Sequence, residues 1–283
     1  SVLSLTSLID MFVVMRRLQD TGMTYPAANY LYGAYAMAVK FFNVPQAMIV
    51  GIGISAIPAI SAACAQNKGQ RAVRLTETSL RLTGLLAFPC AVGMFVLAHP
   101  ILNFFYYAQP DDALVAFPLL NFLCPSIIFV SMVSVTNAIL QANGKVSTPV
   151  YTMLAGGAVK LVTNYILVGI PGININGAPL GTLFCYGSIT VLNFICIYKS
   201  NLRFSMARSF VRPMLAAAAM GCFAWLIYSP MSGIIGGKTA MVITVSISCV
   251  FYLLMLIALK ALPKEDIYML PRGEKIANLL KIK

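Results

Sequence analysis

Eight stretches of this chain are apolar for about as long as a helix needs to cross a bilayer, and that repetition leaves few other folds open. A hydrocarbon core about 30 Å thick requires roughly 20 apolar residues per helix. The stretches are 1–16, 30–65, 79–99, 117–140, 148–169, 177–198, 209–229 and 239–262. In lipid, backbone N–H and C=O groups must be satisfied within the protein, so segments of this length specify helices. The predicted fold is an all-α polytopic membrane bundle of about eight transmembrane helices. Composition agrees: 59% of the 283 residues are hydrophobic and 10% are charged, whereas soluble domains carry about 25% charged residues.

The second stretch is too long for a simple crossing. Pro45, Gly51, Gly53 and Pro58 within it predict a kinked helix that extends beyond the bilayer. The chain begins at Ser1, already inside an apolar pattern and without an initiator Met, as expected of the C-terminal part of a longer membrane protein.

The connecting segments test the count. Lys68, Arg71, Arg74 and Arg81 follow the second stretch, Lys145 the fourth, Lys199, Arg203, Arg208 and Arg212 the sixth, and six more basic residues the eighth. Fifteen of the twenty Lys and Arg residues therefore fall on one side if the spans alternate, against Arg16, Arg17 and Lys238 on the other. The positive-inside rule places the first group, and the C-terminus, in the cytoplasm. This bias accounts for the net charge of +12 without a nucleic-acid partner. The tail 263–283 reads as a basic amphipathic segment on the anionic inner leaflet. The seven cysteines have no C-x-x-C spacing and read as small hydrophobes within spans.

Function is sought where charge sits inside a span, because such residues are costly there and mark pathways or pairs. Lys160 lies near the middle of the apolar run Val150 to Ile170, one helical turn before Asn164 and on the same face, with Gly156 and Gly157 beside it. It serves either as a packing contact or in a cavity or coupling site. Asp10, on the first stretch, has three readings: neutralising Lys160, binding a cation, or carrying a proton. Arg16 and Arg17 near the outer end of that stretch either snorkel to the interface or face a substrate path. Lys40 precedes Asn43, Pro45 and Gln46. Pro45 frees a carbonyl on the preceding turn, and a break beside a buried Lys suits a position lining a water-filled cavity. Thr182, just after the turn-rich segment 169–179, either ends a plain hairpin or adds an oxygen near Asn164. His99, before Pro100, reads as interfacial. No nucleophile elbow, zinc-protease or nucleotide-binding pattern is present, so no enzyme and no cofactor is predicted; Na+ or H+ coupling stays open.

Four stretches, LYGAYAMAVKFFNVPQAMIVGIGISAIPAISAA (31–63), LLAFPCAVGMFVLAHPIL (85–102), ILQANGKVSTPV (139–150) and GAVKLVTNYILVGIPGININGAPLGT (157–182), together resemble the MOP flippase superfamily, which includes the MATE exporters. The resemblance is closest to the stage V sporulation protein B and polysaccharide-biosynthesis branch, related to the lipid II flippases. It implies two six-helix lobes around a central cavity. Residues 1–199 would form the second lobe, 200–262 two additional helices and 263–283 the cytoplasmic tail, with the N-terminal lobe absent from this sequence. It also implies a cation site in some relatives, at positions matched by Asp10, Asn164 and Thr182. Lys160 stands where such a site would want an oxygen, so an Asp10–Lys160 pair is expected instead. The implied function is an alternating-access flippase for an undecaprenyl-pyrophosphate-linked, lipid II-like saccharide in a bacterial cytoplasmic membrane, with Lys40, Asn43, Arg16 and Arg17 on the cavity side. The alternative is a MATE-type, cation-coupled exporter of organic cations.

Overall fold

The computed structural model describes residues 2–66, 69–200 and 206–259. The tail 263–283 and the loop residue Lys68 lie outside these residues. Among the described residues every regular element is a helix: α1 (Val2–Asp20), α2 (Tyr25–Ala65), α3 (Gly69–Val96), α4 (Ala98–Phe105), α5 (Pro110–Ala142), α6 (Thr148–Leu167), a 3-10 turn (Asn174–Asn176), α7 (Gly177–Tyr198), α8 (Met206–Ile235) and α9 (Gly237–Ala258). Seven of them, α2, α3 and α5 to α9, are long and apolar enough to cross a membrane. Although α1 has 19 residues, it carries Asp10, Arg16, Arg17 and Asp20 and falls short on apolarity rather than length.

Local chemistry sets several helix ends. Pro26, Pro110 and Pro149 occupy first-turn positions of α2, α5 and α6, where a missing N–H costs nothing. The end of α5 closes through a left-handed Gly144 (φ +78°). The Lys145 N–H donates to Leu140 O at 2.9 Å and the Gly144 N–H to Gln141 O at 3.0 Å, the paired bonds of a Schellman cap. Two expectations are corrected. The stretch read as 79–99 ends at Val96 and a separate short helix, α4, follows. Pro100 has no N–H to give the Val96 carbonyl, so the chain leaves helical geometry at Leu97 (φ −102°, ψ 17°) before resuming. At Pro45, by contrast, no break occurs: α2 runs continuously through Pro45 and Pro58 for 41 residues, about 60 Å at ~1.5 Å per residue. It is therefore longer than the bilayer core is thick, as its sequence predicts.

The core is organised around α5, whose Leu119, Leu120, Leu123, Ile127, Ile139 and Leu140 are fully buried. It packs against α2, α3, α4, α6 and α7, while α8 packs on α3, and α9 on α8 and α4. Contact pairs give the helix directions. Gly53 faces Ser134 and Ala138 while Ser61 reaches Ala142, so α2 and α5 run in parallel. Tyr35 meets Thr182 and Phe42 meets Tyr186, so α7 joins them. Likewise Gly84 faces Phe210 and Gly93 faces Met220, making α3 and α8 parallel. The C-termini of α2, α5 and α7 thus lie at one end of the bundle. The segments that follow them, carrying Arg71, Arg74, Lys145 and Lys199, are the basic ones, as alternation requires.

Candidate functional site

The first helix joins the bundle through the buried Val14, Met15 and Leu18 and through charge. Asp10 on α1 is buried, and its Oδ2 accepts from Lys160 Nζ on α6 at 2.9 Å. One turn along α6, the fully buried Asn164 donates from Nδ2 to Asp10 Oδ1. Both carboxylate oxygens are therefore engaged by N–H donors, the expected way for a charge to persist at membrane depth. The charge also fixes the Asn164 amide: its other orientation would set two oxygens against each other. Asn164 Oδ1 consequently points away, against Gly181 of α7, and has no hydrogen-bond partner among the described residues. A Cβ at Gly181 would overlap that oxygen, so only glycine lets α7 pass here.

Thr182 lies next to this contact. Its hydroxyl donates to Ala178 O at 3.1 Å, and the Tyr35 hydroxyl sits 3.2 Å from Thr182 Oγ1. A hydroxyl has one proton, so Tyr35 is the donor of the second bond, which ties α2 to α7. Asp10, Lys160, Asn164 and Thr182, predicted as one group, are thus brought together at the meeting of α1, α6 and α7.

The predicted cavity residues diverge. Arg17 is a clamp: its Nε donates to Tyr165 O at 2.9 Å, its guanidinium lies 4.2 Å from the Tyr165 ring centroid, and its Nη1 pairs with Asp20 at 3.0 Å. It also packs on Gly169, where a side chain would displace it. Asp10 and Arg17 thus meet α6 in the same order along both helices, so α1 and α6 are parallel. Arg16 is exposed. Lys40 and Asn43 are exposed as well, correcting the expectation of a buried Lys beside a helix break. Tyr35, Ala38 and Phe42 take the buried face of α2, and Gly33, Lys40, Asn43, Ala47 and Gly51 form its uncovered stripe. His99 is exposed, with its ring edge-on to Phe117 at 5.5 Å.

Two features escaped the sequence reading. Tyr35 has no signal there, because its partner is 147 residues away. Asn193 did have one, a lone amide in an apolar span. It is fully buried, accepts from Thr152 at 2.8 Å, and donates to Thr136 at 2.9 Å and Asn137 at 2.8 Å, joining α5, α6 and α7. Interhelical hydrogen bonds in membranes average ~0.6 kcal/mol each, so Asn193→Leu is expected to cost on the order of 2 kcal/mol. Denaturation of the purified protein in detergent checks it; an unchanged midpoint would show that the cluster contributes nothing.

The cation that the resemblance implies does not fit these residues. A hard cation needs a cage of oxygens. Here both Asp10 oxygens bind N–H groups, one belonging to an ammonium, and Thr182 Oγ1 accepts from Tyr35. Only Asn164 Oδ1 is unengaged.

Comparison with known proteins matches residues 27–246, more than half of the chain, to the family described as lipid II flippase MurJ. The uncharacterized membrane protein YabM of Bacillus subtilis (strain 168) is 24% identical over 272 residues, covering 93% of this chain and 49% of that protein. The lipid II flippase MurJ of the same organism is 25% identical over 160 residues, 56% of this chain and 29% of that one. Among solved structures, a lipid II flippase MurJ in an inward closed conformation superposes with TM-score 0.62 at 19% identity, covering 88% of this chain and 50% of the other. A MATE structure in a bent conformation gives TM-score 0.58 at 17% identity, covering 99% and 64%. The chain spans at most about half the length of the curated relatives it matches. It has the helices of a multi-pass membrane protein, and it belongs to the MurJ lipid II flippase family.

Proposed function

We propose that this chain is the second lobe (1–199) and an additional helix pair (200–262) of a flippase. The flippase turns an undecaprenyl-pyrophosphate-linked, lipid II-like saccharide from the inner to the outer leaflet by alternating access, in cell-wall or polysaccharide synthesis. A first lobe would face it across the cavity, in a bacterial cytoplasmic membrane with the C-terminus in the cytoplasm. Family membership supports the class of activity. The observation that carries the substrate is Lys40, an exposed cation on the uncovered stripe of a membrane-spanning helix, with Asn43 beside it. A single ammonium in that setting is worth its insertion cost when an anion meets it, and a pyrophosphate is such an anion. Arg16, also exposed, adds a second positive group, whereas Arg17 serves the α1–α6 contact. Export of organic cations is disfavoured, because Lys40 repels them and the buried carboxylate is already neutralised by Lys160.

Lys40→Ala is expected to abolish complementation in a flippase-depleted strain while inserting at wild-type levels, and Lys40→Arg to retain it in part. Normal growth with Lys40→Ala would remove Lys40 from the mechanism.

A further inference from the structure

The charge pair has a consequence for coupling. We propose that Lys160 is the resident cation of this lobe, so that the protein needs no metal ion to hold α1 against α6. Removing the ammonium while keeping Asp10 then creates a site for Na+. This rests on the membrane-transporter reading, but its test reads ion binding rather than transport, so either can fail alone.

Three observations carry it. First, the ammonium lies 2.9 Å from Asp10 Oδ2 and cancels the carboxylate that would attract an ion. A second cation about 4 Å from that ammonium, at an effective dielectric of ~20, would lose roughly a thousandfold in affinity through repulsion alone. Second, Lys160 and Asn164 hold opposite oxygens of the carboxylate, so the pair positions α1 as well as balancing charge. Third, Asn164 Oδ1 is a fully buried oxygen without a partner among the described residues, on the far side of its amide from Asp10 and against Gly181. With Lys160 shortened to Asn, the carboxylate is left uncompensated. The oxygens that can turn to a cation are then those of Asp10, the new amide and, on rotation of its amide, Asn164 Oδ1, while Thr182 Oγ1 stays engaged by Tyr35. A buried carboxylate in that state takes a proton or a cation, and an oxygen-lined site favours the cation.

The test uses the purified chain in detergent, melted at pH 8 in NaCl or in choline chloride at equal ionic strength. Wild type is expected to melt alike in both salts. Lys160→Asn is expected to gain a saturable Na+-specific rise of roughly 5–10 °C at a hundredfold excess over Kd. Adding Asp10→Asn to that variant should erase the rise. Lys160→Gln serves as a second variant, and recovery of either variant only when prepared in NaCl counts as the same result. A saturable Na+ response in wild type that disappears in Asp10→Asn would overturn the proposal. So would Lys160 variants that fold but respond to pH and not to Na+. If neither variant folds in either salt, the wild type and Asp10→Asn comparison decides alone: Na+-indifference of both supports the resident ammonium.

Discussion

Asp10→Asn or Lys160→Met alone is expected to destabilise the protein by about 3–5 kcal/mol, and the two together by much less. Each single change strands a charge at membrane depth: an ammonium facing a neutral amide, or a carboxylate facing a thioether. The double change leaves neither, and the amide placed on α1 by the substitution can still meet Asn164. The asymmetry follows from desolvation, which falls in full on any lone ion but is offset when a partner lies 2.9 Å away. Asp10 is almost wholly buried and the Lys160 side chain is 21% exposed, so solvent screening reduces the effect without removing it. Denaturant or thermal unfolding of the four proteins in one detergent closes the cycle. A coupling energy near zero would mean that the pair is incidental to α1 docking.

The second large effect is expected from a residue with no side chain. Gly181→Val should cost about 3–5 kcal/mol, combining overpacking at ~1–3 kcal/mol with loss of a hydrogen bond to a charged group at ~1.5–3 kcal/mol. Its Cβ would occupy the place of Asn164 Oδ1, and Asn164 cannot yield, being fully buried with its Nδ2 held by Asp10. Displacing Asn164 releases one carboxylate oxygen and loosens α1. Gly187 on the same helix is the control: nothing lies within 4 Å of its would-be Cβ. Gly187→Ala should therefore be neutral or stabilising by up to ~1 kcal/mol through helix propensity. Equal losses at 181 and 187 would show that α7 objects to side chains in general rather than to a collision with Asn164. Asn164→Ala should also relieve much of the Gly181→Val penalty, because the colliding atom is gone.

Much of this architecture was legible in the residues. Spans showed because apolar length is a local property, and the loop charges gave their alternation. The structure repeats that alternation in the parallel runs of α2 with α5 and α7, and of α3 with α8. The failures were local too. Pro100 breaks a helix that hydropathy carries through, and Pro45 leaves α2 unbroken where a break was expected. For Lys40, hydropathy gave depth but not azimuth: a Lys inside an apolar span reads as buried, whereas here it lies on the one face of α2 that the described helices leave open.

That Asp10, Lys160 and Asn164 each need a partner follows from the residues themselves, because desolvation acts on a side chain wherever its helix goes. Which partner each received came from packing in three dimensions. Asp10 lies 150 residues from Lys160 and 154 from Asn164, and it meets them only because α1 runs parallel to α6. Asn164 faces Asp10 only because a glycine on α7 leaves space for its amide. Helix periodicity sets the side a residue occupies, whereas neighbours come from packing, which no single span encodes.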